Sequence, residues 1–301
     1  VNPSAPNTPA PTPTPNASPI VIRPAATVIL LRDGAHGLEV FMVKRHSQSD
    51  VLGGAYVFPG GKVDAADALL DPAQLDQPPQ RLHQQLCESD IDAATAVAIH
   101  VAAIREAFEE CGVLLAHDLA PDAASAVAAA AAQGTPFNAL LAQFALRLDT
   151  RQLRPWSRWV TPERSLAIVG KRFDTRFFIA TVPPGQQARH DAHEAVDSVW
   201  LRPRDAVEQY WAGAIGMAPP QVMSLVHLAG HADVASVLRE ADARPPCVVR
   251  PHIFEADGCR ATAYPGDELH PERERVMPGP LRLLLRDGRL EPPGGFDAFW
   301  R

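Results

Sequence analysis

Glu106, Glu109 and Glu110 stand at spacing i, i+3, i+4, directly after Arg105. At ~100° per residue, a helix carrying them sets all three carboxylates on one face. Exposed charge is the ordinary fate of glutamate, so the triplet alone describes no more than a solvated surface. Its upstream partner changes the reading. Phe58-Pro59-Gly60-Gly61-Lys62-Val63-Asp64 contains a glycine pair, which lets backbone oxygens come close to an ion where a side chain would stand in the way. Clustered carboxylates repel one another unless a hard divalent cation lies between them. The two segments together describe a site for Mg²⁺ or Mn²⁺.

The elements that must position these groups follow from the pattern around them. From Ala93 onward Val97, Val101, Ile104, Phe108 and Cys111 recur at three- and four-residue steps, which is one buried helical stripe opposite the glutamates. Asp92 or Ser89 caps its start and Gly112 its end. Residues 26–32 and 38–44 are apolar runs flanking Asp33-Gly34, a β-hairpin signal. Residues 55–58 form a further strand, stopped by Pro59. Residues 65–90 carry three prolines and no sustained period, so they read as an irregular excursion holding a helical turn or two. Helices are expected over 121–133, 137–148, 205–210 and 220–241, and strands over 156–161, 172–182 and 195–202. After 241, short apolar runs and the Asp287-Gly288 turn describe a small β-rich appendage.

Composition sets the outer limits. With 46% hydrophobic and 21% charged residues over 301 positions, the chain holds enough apolar side chains for one large core or two small ones. Eight of its 30 prolines fall between Pro3 and Pro24, within a Pro/Ala/Thr run lacking the aliphatics that would offset ordering entropy. Residues 1–24 are therefore expected to be a disordered tail. A net charge of −7 argues against nucleic acid as a partner. No apolar run approaches ~18 residues, and the first residues form no secretory signal, so no membrane partner and a cytoplasmic location are expected. Cys87, Cys111, Cys247 and Cys259 are far apart and form no CxxC pair, which leaves them as packed thiols.

The segment Arg105-Glu106-Ala107-Phe108-Glu109-Glu110-Cys111-Gly112-Val113 resembles the end of the Nudix box, and Gly61 resembles its beginning. Asp67 stands where the box has its first Glu, keeping the charge that pairs with Arg105 on a shorter arm. The spacer before Arg105 is much longer than the usual seven residues. Such an insertion within the box, together with KRFDTRFF at 171–178, Pro219-Pro220-Gln221 and YPGDE at 264–268, is similar to the subgroup of peroxisomal coenzyme A diphosphatases. The likeness runs from about residue 25 to about 290.

The resemblance implies an α/β/α sandwich with a mixed sheet over 25–240, interrupted at about 65–90, and a β-rich C-terminal extension over 241–301 packed on it. It implies hydrolysis of a nucleoside diphosphate joined to a second moiety. Gly61, Glu106, Glu109 and Glu110 carry over as the set for Mg²⁺ or Mn²⁺, and Asp67 with Arg105 as a structural pair. Glu194, six residues before Trp200, carries over as a candidate proton acceptor. Lys44, Arg45, Arg172 and Arg176 are the candidates for phosphate, since the planar guanidinium fork matches its oxygens. Helices in 121–148, the insertion and the helix led by Pro220 are candidates to line a channel for an acyl-pantetheine arm. The implied partner is a small nucleotide-type molecule: coenzyme A or its thioesters first, then a dinucleotide, nucleotide sugar or oxidised nucleotide. A non-hydrolysing nucleotide-binding regulator is the reading of a different class, and a homo-oligomer remains open.

Overall fold

The computed structural model describes residues 21–49, 52–162, 172–191, 195–256 and 258–301. Strands β1 (Ile22–Gly34) and β2 (Gly37–Arg45) form the hairpin expected around Asp33-Gly34. They join β3 (Tyr56–Val57), β5 (Arg154–Val160), β6 (Arg172–Thr181) and β8 (Cys247–Val249) in the order β3-β2-β1-β6-β5-β8. The sheet is mixed, because β1 runs parallel to β6 and β5 parallel to β8 while their other pairings are antiparallel. β1 begins at Ile22, so the last three residues assigned to the tail belong to the sheet, and the tail as far as residue 20 lies outside the described residues.

The free edge of β1 is shared by two partners. Its far half pairs with β2, while Ala25, Ala26 and Thr27 pair with β4 (Gly60–Lys62). β7 (Ala195–Leu201) lies along β2. The sheet therefore parts between β2 and β4, and the glycine segment lines that opening.

Period-two alternation divides the core into two layers. Ala26, Val28 and Leu30 face helix α2 (Ala93–Cys111), with α1 (Pro79–Leu86), α3 (Pro121–Ala132) and α4 (Phe137–Gln143) on the same side. Ile29 and Leu31 face α5 (Pro203–Trp211), α6 (Pro219–Leu228) and α7 (Val234–Ala243). The single helix expected over 220–241 is thus two, parted at Gly230-His231-Ala232-Asp233, where Asp233 caps α7 by accepting from the Ser236 amide. The helix expected over 137–148 stops at Gln143, and Ala145 just beyond has φ +49°, which no helix continues through.

The C-terminal segment is more integrated than an appendage. Besides β8 in the main sheet, β9 (His252–Ala256), β10 (Cys259–Ala263), β11 (Arg282–Arg286) and β12 (Arg289–Glu291) form a second sheet of four strands. Tyr264, Leu283 and Phe299 from this region are fully buried in the α5–α7 layer.

Candidate active site

Helix α2 is capped by Asp92, whose side chain accepts from the Thr95 amide, and ends at Gly112, which adopts φ +70°. It is buried nearly all round, between the sheet and the excursion that precedes it. Its last turns pass under the opening between β2 and β4. Glu110 is 4% exposed and accepts a hydrogen bond from the Gly60 amide at 2.9 Å. A Cβ on Gly61 would lie 2.5 Å from the Glu106 carboxylate, and one on Gly60 would meet the Ala26 carbonyl at the same distance. Both glycines are required by close approach. Glu106 and Glu110 are held against the backbone of β4, so these two are not the solvated surface that glutamate usually forms.

Arg105 organises the cluster. Its Nε and Nη2 donate to the two oxygens of Asp67, at 2.9 and 3.1 Å. Its Nη1 donates to Glu106 at 2.8 Å and Glu109 at 2.9 Å, and Nη2 also donates to the Lys62 carbonyl. Burial opposes its charge, but the Asp67 hydrogen bonds and the neighbouring carboxylates outweigh this and raise its pKa. Asp67 is itself 1% exposed, at the 3₁₀ turn Ala65–Leu69, and also accepts from the Asp64 amide. Around the single guanidinium of Arg105 stand the carboxylates of Asp64, Asp67, Glu106 and Glu109, with Glu110 beside Arg45. A surplus of negative charge in a cradle without a Cβ suits a divalent cation.

Above these groups is a cavity of about 740 Å³. Glu106, Glu110, Gly60 and Gly61 form its acidic end, with Arg45 and Arg23 nearby. Its walls are Phe58, Trp159, Phe173 and Phe177 from the main sheet side, Pro219-Pro220-Gln221 from α6, and Ile253, Thr262 and Leu290 from the C-terminal region. A second depression of about 850 Å³, lined by Arg81, Arg151, Arg154 and Arg244, contains none of the α2 carboxylates.

The structure separates the residues expected from sequence. Arg45 faces the site: its Nη1 is 3.8 Å from Glu110, and its buried Nε has no hydrogen-bond partner among the described residues, a donor available to an oxyanion. Lys44 alternates to the other face of β2, with its ammonium 5.8 Å from the centre of the Tyr56 ring. Arg172 and Arg176 do not line the cavity either, because the face of β6 that does carries Phe173, Thr175 and Phe177. Arg176 is 4% exposed and bonded through both Nε and Nη2 to Glu88 of the insertion, while Arg172 donates to the Thr161 carbonyl. Glu109 stays at the rim beside Arg105, its side chain 42% exposed and outside the cavity lining. Glu194 lies outside the described residues. Of the three segments expected to line an arm channel, only the one led by Pro219-Pro220 does so; α3, α4 and the insertion pack on the opposite layer.

Arg23, Thr27 and Trp159 were not singled out by sequence reasoning, whereas Gln221 stood in the Pro219-Pro220-Gln221 motif without a role. Arg23 was hidden in the proline-rich tail, although alternation from Ile29 back through Thr27 and Ala25 puts it on the cavity face. Gln221 is 6% exposed and its Oε1 has no hydrogen-bond partner among the described residues.

The comparisons agree with this geometry. The family described as the NUDT19 Nudix domain matches residues 15–228. The protein named acyl-coenzyme A diphosphatase NUDT19 from Gallus gallus is 29% identical over 82% of this chain and 79% of its own length. Its namesake from Homo sapiens is 28% identical over 79% and 74%. The crystal structure of a Nudix hydrolase from Alicyclobacillus acidocaldarius superposes with a TM-score of 0.60 at 29% identity, covering 76% of this chain and 99% of that one. With the glycine segment, Arg105 and its carboxylates assembled on that fold, the chain belongs to the Nudix hydrolase family, in the branch described as the NUDT19 Nudix domain.

Proposed function

We propose that this chain hydrolyses the diphosphate of coenzyme A or its acyl thioesters, giving 3′,5′-ADP and 4′-phosphopantetheine or its acyl form. The observation that carries this reading is the acidic end formed by Glu106 and Glu110 beneath a cavity with largely apolar and aromatic walls. Such a site takes a ligand that is polyanionic at one point and extended and weakly polar beyond it. The names of the relatives from Gallus gallus and Homo sapiens support the same substrate class.

Glu106, Glu109, Glu110 and the Gly61 carbonyl are the groups assigned to Mg²⁺ or Mn²⁺. When bound, the ion neutralises diphosphate charge and supplies an activated water. Arg45 offers its unpartnered Nε to a phosphate oxygen, and Arg23 offers a second guanidinium at the cavity wall. Arg105 ties the helix end to the Ala65–Leu69 turn by two hydrogen bonds and to β4 by one, and holds Glu106 and Glu109 by two more, so these carboxylates do not have to organise on substrate arrival. Trp159 and Phe177 present ring surface to a base or an arm. Glu194 is the assigned proton acceptor for the attacking water. Water adds across the anhydride, with its oxygen going to one phosphorus and a proton to the departing phosphate. The four cysteines are all free, which fits a reducing compartment such as the cytoplasm.

The test is product analysis by mass spectrometry after incubation with coenzyme A, a long-chain acyl-CoA, NADH, ADP-ribose and a nucleotide sugar, each with Mg²⁺ or Mn²⁺. The proposal expects 3′,5′-ADP from the first two at rates well above those of the others. Cleavage of NADH or the sugar nucleotide with coenzyme A left intact replaces the substrate assignment. Ligand bound and nothing cleaved replaces the enzyme by a regulator.

A further inference from the structure

A second group of metal-ligating side chains lies away from the α2 carboxylates. Three segments distant in sequence run side by side there: Leu148 bridges Leu75 in parallel and Ala116 in antiparallel fashion. Main-chain hydrogen bonds fix them, from the Leu148 amide to the Gln74 carbonyl, from His117 to Arg147 and from Asp149 to Leu115. The residue after each bridging position is Asp76, His117 or Asp149. One ligand atom from each, the His117 Nε2 and two carboxylate oxygens, lies within 4.8 Å of the others.

The three side chains are close together but only loosely paired. The Asp76 side chain is 1% exposed. Its Oδ1 accepts from the Thr150 amide and hydroxyl, but its buried Oδ2 makes no aligned hydrogen bond among the described residues. His117 Nε2, also buried, stands 3.3 Å from that oxygen as an ion pair that is not aligned as a hydrogen bond. The two atoms thus form a loose ion pair, and a buried polar atom without a well-aligned partner forfeits part of the about 1–3 kcal/mol that a missing bond costs. Asp149 Oδ1 is 3.6 Å from the same nitrogen, while its Oδ2 is held by Gln152. The only guanidinium within ion-pair reach of Asp76 among the described residues is Arg151, at 3.7 Å and largely exposed.

The other His-containing group, His227, His231 and Glu240, makes a useful contrast. There Glu240 already pairs with both histidines, at 2.8 and 3.0 Å, and with Arg244 at 2.7 Å. That group is satisfied without an ion.

We propose that Asp76, His117 and Asp149 bind a transition-metal ion of the Zn²⁺ class and thereby fasten the insertion to the body of the fold. One imidazole and two carboxylates suit a borderline ion better than Mg²⁺, which prefers oxygen alone. Asp76 belongs to the insertion, His117 to the chain leaving α2, and Asp149 to the approach to β5. His117 is about one-third exposed, which leaves the ion a way in and room for a water. Its role is structural, and it does not depend on the assignment of the substrate.

The test uses Zn²⁺ alone, by equilibrium dialysis with metal analysis and by thermal melting. The full chain carrying Glu109→Gln and Glu110→Gln keeps the α2 cluster from contributing, and excess Mg²⁺ suppresses what remains there. The expectation is one Zn²⁺ per chain at micromolar concentration and a rise in Tm of several degrees. Adding either His117→Gln or Asp149→Asn weakens binding by at least about ten-fold and removes the rise in Tm. The two variants alter partly exposed side chains, so loss of fold in one leaves the other to decide. Absence of binding in the chain with intact Asp76, His117 and Asp149, or binding unchanged by both substitutions, overturns the proposal.

Discussion

Arg105 grips Asp67 through two parallel hydrogen bonds, although an aspartate stands where the Nudix box has a longer acidic arm. The 3₁₀ turn Ala65–Leu69 compensates for the missing methylene by bringing the main chain up to the guanidinium. Both groups are buried, and removing one partner of such a pair strands the other. Asp67→Asn is expected to cost about 3–5 kcal/mol of stability in urea unfolding and to lower kcat with it, since Glu106 and Glu109 are bonded to the same arginine. An unchanged melting curve would show that the pair is dispensable.

Gly61 carries a different constraint. Its backbone is not in the left-handed region, so alanine is conformationally allowed, but the added Cβ lands 2.5 Å from the Glu106 carboxylate. That carboxylate must move. Gly61→Ala is expected to keep Tm within a few degrees while activity falls by about 10²-fold, the order of loss that follows a misplacement of about 1 Å. Titrating activity against Mn²⁺ checks the cause: the variant needs more ion for half-maximal rate.

The strand β6 separates two arginines that look alike in sequence from one that was overlooked. Arg176 sits with Arg158 on Glu88 and Asp174, inside the layer that holds the insertion. Arg176→Ala is expected to destabilise the fold by roughly 3 kcal/mol, as for one member of a buried ion-pair network, with KM unchanged for the surviving enzyme. Arg23→Ala should do the opposite, raising KM with Tm constant, because Arg23 is exposed at the cavity wall. Steady-state kinetics beside thermal melting of both variants distinguishes the assignments.

Most of the scaffold was legible because its signals are local. The three- and four-residue spacing of α2, its Asp92 and Gly112 ends and the Asp33-Gly34 hairpin each lie within one short window. What was not legible depends on register or on distant chain. A strand shows side chains alternately to two faces, and nothing in Arg172–Thr181 tells which face the cavity will use; a one-residue choice exchanges Arg172 and Arg176 for Phe173, Thr175 and Phe177. Ile253, Thr262 and Leu290 reach the cavity only because the C-terminal strands fold back over the α6 layer, a long-range event with no short motif. Arg23 was lost to composition: the run of prolines that marks the tail continues to Pro24, two residues after β1 has begun.

Two buried histidines set the response to acid. His100 lies in α2 against the Phe178 ring, with Nδ1 donating to the Ala96 carbonyl and Nε2 buried without a hydrogen-bond partner among the described residues; burial pushes its pKa down to about 4. Burial likewise pushes His227 down to about 4, more than Glu240 beside it pulls it up. Unfolded histidine titrates near ~6.5, so between that value and about 4 the unfolded chain takes up protons that the folded chain refuses. Stability is full above that window and falls as pH drops through it, by up to about 3 kcal/mol for each histidine. Asp76 and Glu240, whose carboxyls are held below their ordinary values, add their loss only at lower pH. His100→Phe keeps a ring against Phe178 and removes one titrating group. Urea unfolding from pH 7 to 4 should therefore show the wild type losing stability steeply and this variant losing about half as much, whereas equal slopes would mean that His100 is already protonated in the fold.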